Sequence, residues 1–155
     1  RRVIGDFYMR EKGKKLKGFE VEKTFRFVED NVIVRGRIDY LEANGKVTIL
    51  DFKSTQDIDE EKGIDRVKQS IQLKIYALAY QKMTGKLPDL VGLYFLDSGL
   101  ISTIKPNQKF ADDALNAIKV TAAGIRAVNF KANPKEGAFT CKYCSYNRIC
   151  PHSLV

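Results

Sequence analysis

From Phe19 to Phe27 the apolar residues fall on every second position, with Phe19, Val21, Phe25 and Phe27 set between Glu20, Glu22, Thr24 and Arg26. A period of two belongs to an extended chain with one wet and one dry face, so this stretch predicts a half-buried strand. Glu29-Asp30-Asn31 supplies a turn, and a second strand follows from Val32 to about Glu42. Asn44-Gly45 then marks a hairpin, because both residues tolerate positive φ, and Val47 to Lys53 gives the returning strand of an antiparallel meander.

Beyond an acidic loop, Asp57 to Glu61, the period changes. Ile64, Val67, Ile71, Ile75 and Leu78 recur at spacings of three and four, which predicts one long helix to about Thr84, ended by Gly85 and Pro88. Leu90 to Leu96 is a continuous apolar run of strand length, suited to a central buried strand, and Asp97-Ser98-Gly99 turns it into a shorter strand, Leu100 to Ile104. A second helix fits residues 108 to 130, with Phe110, Ala114, Ile118, Ala122, Ile125 and Val128 along one face, and Asn133-Pro134 breaks it. The order βββαββα describes a mixed α/β domain. Residues 6 to 17 are lysine-rich and read as a frayed helix or a basic loop.

The chain has 155 residues, 44% of them hydrophobic, enough for one domain with a core of its own. We therefore expect a single domain over residues 1–155, with an α/β core at 19–130 and a tail at 131–155. Residue 1 is Arg rather than Met, which points to a piece of a longer polypeptide. The 27 Lys and Arg against 19 Asp and Glu leave a net charge of +8, a balance suited to a polyanion such as nucleic acid. No apolar run is long enough to span a bilayer and no secretory pattern opens the chain, so a cytoplasmic protein is expected.

Chemistry concentrates on two adjacent strands. Arg35-Gly36-Arg37-Ile38-Asp39 and Ile49-Leu50-Asp51-Phe52-Lys53 put two carboxylates and one ammonium near one hairpin. A two-residue Asn44-Gly45 loop sends Asp39 and Asp51 to opposite faces of the sheet, whereas a three-residue loop or a bulge brings both to one face together with Lys53. Two such carboxylates repel unless a cation joins them, and hard oxygen ligands favour Mg²⁺ or Mn²⁺ with waters in the remaining positions. Lys53 beside that cation would orient or deprotonate a water, or stabilise charge on a phosphate oxygen. Gly36 would let a phosphate backbone come close. Gln72 and Tyr76, one helical turn apart, point the same way. An Asp-x-Lys at a strand end is otherwise a solvated charge pair, and Gln72 and Tyr76 otherwise a polar helix flank.

Gly36-Arg37-Ile38-Asp39, then Ile49-Leu50-Asp51-Phe52-Lys53-Ser54, then Gln72-Leu73-x-x-Tyr76, in that order and spacing, resemble the RecB-type branch of the PD-(D/E)XK nucleases, over residues 19 to 152. The resemblance implies a restriction-endonuclease-like fold and a DNA nuclease of repair or recombination, acting on DNA ends or single strands beside a helicase. It implies further that Asp39, Asp51 and the Phe52 carbonyl bind the divalent metal, that Lys53 is the catalytic lysine, and that Gln72 and Tyr76 help place DNA and active-site groups.

The three cysteines, Cys141, Cys144 and Cys150, all lie in the last fifteen residues, an odd and clustered set that reads as metal ligation rather than a disulfide framework. Phe139-Thr140-Cys141-Lys142-Tyr143-Cys144 and Cys150-Pro151 are similar to the tail of the iron-sulfur nucleases of this branch, found in helicase-nuclease fusions and CRISPR-associated exonucleases. There a fourth cysteine far upstream completes a 4Fe-4S cluster. This sequence has none upstream, so the parent protein would supply it; zinc with His152 as fourth ligand, or bare thiols, are the alternatives.

Arg35 and Arg37 are candidates for gripping phosphates without reading bases. The run Lys12, Lys14, Lys15 and Lys17, with Lys142 and Arg148, is basic surface that serves the same end or is merely solvated. Tyr143 and Tyr146 would stack on bases or pack around the cysteines. The readings that compete with a nuclease are a non-cleaving DNA-binding or structural module that keeps the fold, and a zinc-ribbon-like interaction module.

Overall fold

The structure, a computed structural model, describes residues 2–13, 18–54, 58–132 and 139–155. Lys14, Lys15, Lys17, Asp57 and Asn133-Pro134, on which some of the expectations above fall, lie outside the described residues. The chain divides into two compact units, Arg1–Val120 and Thr121–Val155.

In the first unit five strands form one sheet in the order β1-β2-β3-β4-β5: β1 Phe19–Glu29, β2 Val32–Asn44, β3 Lys46–Lys53, β4 Leu90–Phe95 and β5 Ile101–Ile104. All pairs are antiparallel except β3 with β4. A parallel pair needs a crossover, and the helices α2 Glu60–Gln69 and α3 Ile71–Thr84 provide it. α4 spans Gln108–Arg126. The expected α/β architecture is thus present, with a helix α1, Arg2–Glu11, added before the first strand.

Asp30 and Asn31, both at positive φ, make the β1–β2 turn, the conformation whose twist matches the flanking strands. At the next hairpin only Gly45 takes positive φ, and Asn44 pairs with Lys46, Ala43 with Val47 and Tyr40 with Leu50. This register belongs to the longer of the two loops weighed from the sequence. Continued one step, it sets Asp39 opposite Asp51.

The long helix expected through Thr84 is instead two helices. Ser70 breaks it: its side chain accepts from the Leu73 N–H as N-cap of α3, while its own N–H closes α2 on the Val67 carbonyl. An N-cap serine satisfies donors that the helix start leaves orphaned, so a break here costs little. The apolar stripe is re-phased as a result. Ile71 is exposed, and Leu73, Tyr76 and Ala77 take the core side against Phe25, Ile38, Leu41 and Ile49. The opposite side of α3 sets Leu78 against Ala111 and Ala114 of α4. α4 also stops short of residue 130. Val128 adopts left-handed φ, and the Asn129 N–H reaches back to the Gly124 carbonyl in a Schellman-type closure, leaving Ile125 and Val128 exposed.

α1 lies on the sheet face opposite α3. Phe7 meets Phe52 and Tyr94 edge-on at 5.9 and 5.5 Å between ring centres, Glu11 accepts from the Tyr94 hydroxyl at 2.7 Å, and the Arg10 guanidinium binds the Leu96 and Asp97 carbonyls. In the second unit a short helix, α5 Phe139–Lys142, leads into turns in which the Cys144 N–H bonds to the Cys141 carbonyl and the Cys150 N–H to that of Tyr146.

Gly36 serves packing, where the sequence reading gave it to a phosphate. It stands opposite Phe25, and a Cβ there would lie 2.6 Å from the tip of that buried ring. Because Phe25 packs on Phe27 and Tyr76, the ring has little room to yield. Gly36→Ala is expected to cost about 1–3 kcal/mol, the usual range for overpacking, read as a lowered Tm in a thermal melt.

Candidate active site

β3 carries Asp51 and Lys53 on one face and Phe52 on the other, by the alternation of a strand. Asp51 is 1% exposed, a rare position for a carboxylate. The Lys53 Nζ lies 2.6 Å from its Oδ2, as an ion pair, yet that buried oxygen has no hydrogen-bond partner of acceptable geometry among the described residues. From β2, Asp39 accepts from the Phe52 backbone N–H at 3.3 Å, so one carboxylate oxygen stands in for a strand partner just past the Tyr40–Leu50 rung of the ladder.

α3 closes the arrangement from above the sheet. Gln72 and Tyr76 are one turn apart; the Gln72 amide donates to the Tyr76 hydroxyl at 2.8 Å and accepts from Lys53 Nζ at 3.1 Å. Tyr76 donates in turn to Asp39 Oδ1 at 3.4 Å. Asp39, Tyr76, Gln72, Lys53 and Asp51 therefore form one continuous chain of polar contacts, drawn from two strands and one helix.

The electrostatics follow from burial and from two acids sharing a site. Burial raises the Asp51 pKa; Lys53 opposes the rise, and the nearby Asp39 adds to it. The Tyr76 phenol is pushed up to about 12, chiefly by burial, with the negative charge of Asp39 and Asp51 adding to it and the Gln72 hydrogen bond pulling the other way. Tyr76 thus remains a proton donor at any working pH. A buried, under-bonded carboxylate oxygen beside a second carboxylate fits a hard divalent cation, which takes one or two acids and keeps waters in its other positions. Among the described residues no three His, Cys, Asp or Glu side chains are grouped to hold a metal; Asp39 and Asp51 are the two acids at this place.

The remaining candidates are placed elsewhere. The Phe52 ring faces away from the acids, among Phe7, Tyr40 and Tyr94, on the wall of a cavity of about 480 Å³ that none of Asp39, Asp51, Lys53, Gln72 and Tyr76 lines. Arg35 and Arg37 are exposed, and Arg37 pairs with Glu22 at 2.9 Å. Sequence reasoning passed over Arg26, which stands directly opposite Arg35; a two-residue Asp30-Asn31 turn would have given that pairing. The three cysteines are free thiols, Cys144 exposed and the others half-buried, and His152, Tyr143 and Tyr146 are exposed.

A family model described as the PD-(D/E)XK nuclease superfamily matches residues 1–151. The chain belongs to the PD-(D/E)XK nuclease superfamily. It is 28% identical over 90 residues to an ATP-dependent helicase/nuclease subunit of Listeria monocytogenes serotype 4b (strain F2365), a match that covers 54% of this chain and 7% of that protein. The chain thus spans a small part of the length of the relative it matches. Among solved structures it superposes on SSO0001 with a TM-score of 0.57 at 18% identity, over 99% of this chain and 69% of the other. On the Eubacterium rectale protein named "Putative exonuclease" the TM-score is 0.55 at 16% identity, over 95% and 59%. Likeness at such identities shows the fold. The resemblance read from the three motifs therefore holds, and the PD-(D/E)XK fold explains why acids and lysine sit where β2 and β3 part. Among the described residues no helix is long and apolar enough to cross a membrane.

Proposed function

We propose that this chain is a DNA nuclease domain that hydrolyses phosphodiester bonds with Mg²⁺ or Mn²⁺, working at DNA ends or on single strands beside a helicase in cytoplasmic repair or recombination. The observation that carries the reading is the unbroken side-chain path from Asp39 through Tyr76, Gln72 and Lys53 to the buried Asp51. Asp39, Asp51 and the Phe52 carbonyl would hold the cation. Bound there, it would supply Lewis acidity that neutralises a phosphate oxygen and makes a water more acidic.

The chain's own residues do the rest. Lys53 presents its ammonium to the phosphate, where it offsets the charge that builds as water attacks phosphorus and the ester oxygen departs as a hydroxyl. Gln72 fixes the Lys53 head through its amide oxygen and, through its amide nitrogen, fixes the Tyr76 hydroxyl. Tyr76 keeps Asp39 oriented without itself ionising. Arg35 and Arg37 would hold the phosphate backbone. Incubating labelled single-stranded and duplex DNA with the protein in Mg²⁺ or Mn²⁺, and in EDTA, tests the reading. Cutting with either metal and none in EDTA is expected; binding without cutting under every condition would favour the non-cleaving module.

The described residues do not gather Cys141, Cys144 and Cys150 into one metal site; it is the likeness of this tail to that of the iron-sulfur nucleases that supports them as three thiolate ligands of a structural 4Fe-4S cluster. Iron and sulfide analysis of the anaerobically purified full-length protein tests this, and a colourless, zinc-loaded sample would replace the cluster with zinc held by the cysteines and His152.

A further inference from the structure

The β1–β2 ladder runs from Phe19 and Glu42 to Glu29 and Val32 with one rung missing, that of Glu22 and Asp39. Both strands change face at that rung. On β2, Ile38 and Leu41 are three residues apart, which alternation sends to opposite faces, yet both are buried in the core with Leu73 and Tyr76 of α3. On β1, Phe19 and Val21 line the cavity beside Phe7 and Phe52, on the α1 side of the sheet, whereas Phe25 lies in the core with Ile38. The Glu20–Lys23 ion pair, 2.5 Å between two residues also three apart, spans the same switch.

The backbone marks where the switch is made. Glu22 has a φ of 52°, and among the described residues it alone takes positive φ inside a strand. That conformation is uncommon for a residue with a Cβ and persists only where its surroundings enforce it. Here both flanks are fixed: Phe25 and Ile38 by the core, Tyr40 and Leu41 by their pairing with Leu50 and Ile49 of β3. The Glu22 carboxylate meets Arg37 at 2.9 Å, an exposed pair too weak to impose the conformation by itself. Asp39 turns the other way, accepting from the Phe52 N–H at 3.3 Å and from the Tyr76 hydroxyl at 3.4 Å. Had the alternation set by Ile38 run on unbroken, Asp39 would stand on the same face as the exposed Arg37, away from Asp51.

We propose that Glu22 is a positioning residue for the metal site: its left-handed backbone lets β1 and β2 keep Phe25 and Ile38 in the core while Asp39 joins Asp51. The inference rests on the reading of Asp39 and Asp51 as the cation's ligands and deepens it. An interrupted ladder re-aims one side chain without moving the strands on either side, the use that bulges serve beside active sites. Glu22 acts here through conformation and not through charge. Position 22 therefore suits residues that accept positive φ, glycine and asparagine best and β-branched residues least.

Mn²⁺ titrations without DNA, alongside melts of the metal-free protein, compare Glu22→Gly, Glu22→Asn, Glu22→Gln and Glu22→Val with the parent. Glu22→Gly and Glu22→Asn are expected to bind Mn²⁺ at least as tightly as the parent, and Glu22→Gln, which keeps the size and loses the charge, to match it. Glu22→Val is expected to bind about tenfold more weakly, as the backbone relaxes at the unpaired rung and carries Asp39 off its place. Its metal-free Tm should stay close to that of Glu22→Gln, because the packing on both flanks is untouched. In the cleavage assay it should need more Mn²⁺ and approach the parent's maximal rate once saturated. A valine variant that melts lower yet binds Mn²⁺ like the parent would make Glu22 a matter of stability alone and overturns the proposal. So does weakened binding in the glycine, asparagine and glutamine variants alike, which would make the carboxylate a ligand, and so does a parent that binds no Mn²⁺. Should Glu22→Val not fold, Glu22→Ala replaces it: weaker binding than Glu22→Gly is expected, and equal binding overturns the proposal. A parent that binds Mn²⁺ but never cuts, with affinity lost only in the valine variant, would defeat the nuclease reading and leave the role of Glu22 standing.

Discussion

Asp51→Asn is expected to abolish cleavage, with a loss of about a thousandfold or more, and at the same time to raise the Tm of the metal-free protein. The first effect follows because the amide cannot replace a carboxylate as a hard anionic ligand, and several kcal/mol of charge stabilisation go with the cation. The second follows from burial. Asp51 is enclosed beside Asp39 with Lys53 as its counter-charge, and both burial and Asp39 raise its pKa. A raised carboxyl pKa means that the folded chain holds the proton longer than the unfolded chain does. Below the ordinary carboxylate range both states are protonated and ionisation costs nothing. As pH climbs through the raised value the folded state alone carries a penalty. The gain from asparagine should therefore be present at neutral pH and vanish on acidification. Saturating Mg²⁺ should stabilise the parent and leave the variant unmoved. Thermal melts at neutral and acid pH, with and without Mg²⁺, check all of this.

Lys53→Ala is expected to lower the cleavage rate by about 10²–10³-fold, the usual effect of removing one preorganised donor from a developing oxyanion. Its signature should differ from that of an acid. The Lys53 ammonium sits on Asp51 Oδ2, an oxygen that a cation would share, so removing it takes away a competing positive charge. The concentration of Mn²⁺ needed for half-maximal activity should stay level or fall while the maximal rate collapses. Lys53→Arg should rescue little, because a planar fork does not reproduce the Nζ contact with Gln72 at 3.1 Å. Rate measurements across a metal series separate the two effects.

The sequence carried more of the site than of the helices. Alternation placed Asp51 and Lys53 on one face with Phe52 on the other, and the spacing of Gln72 and Tyr76 put both on one side of a helix; both are local rules of the backbone. Which face Asp39 joins was open, since Asn44 and Gly45 each tolerate a left-handed conformation; the register turns on Gly45 alone adopting it. The break at Ser70 was hidden because apolar residues continue at helical spacing across it, while the cap that makes it depends on one side-chain bond to the Leu73 N–H. α1 was legible only in part, as a frayed helix or a basic loop over residues 6 to 17, for a different reason. Its own sequence is only weakly apolar, and the contacts that hold it, from Phe7 to Phe52 and Tyr94 and from Arg10 to the β4–β5 turn, are with residues more than forty positions away.

Asp39, Asp51 and a hard cation are proposed to form one unit, and Mn²⁺ binding followed by electron paramagnetic resonance bears on that most directly. The parent chain should take up one Mn²⁺ that Mg²⁺ displaces, and Asp39→Asn and Asp51→Asn should each lose it while remaining folded. A parent that binds no Mn²⁺, or both variants binding it as the parent does, would contradict the assignment.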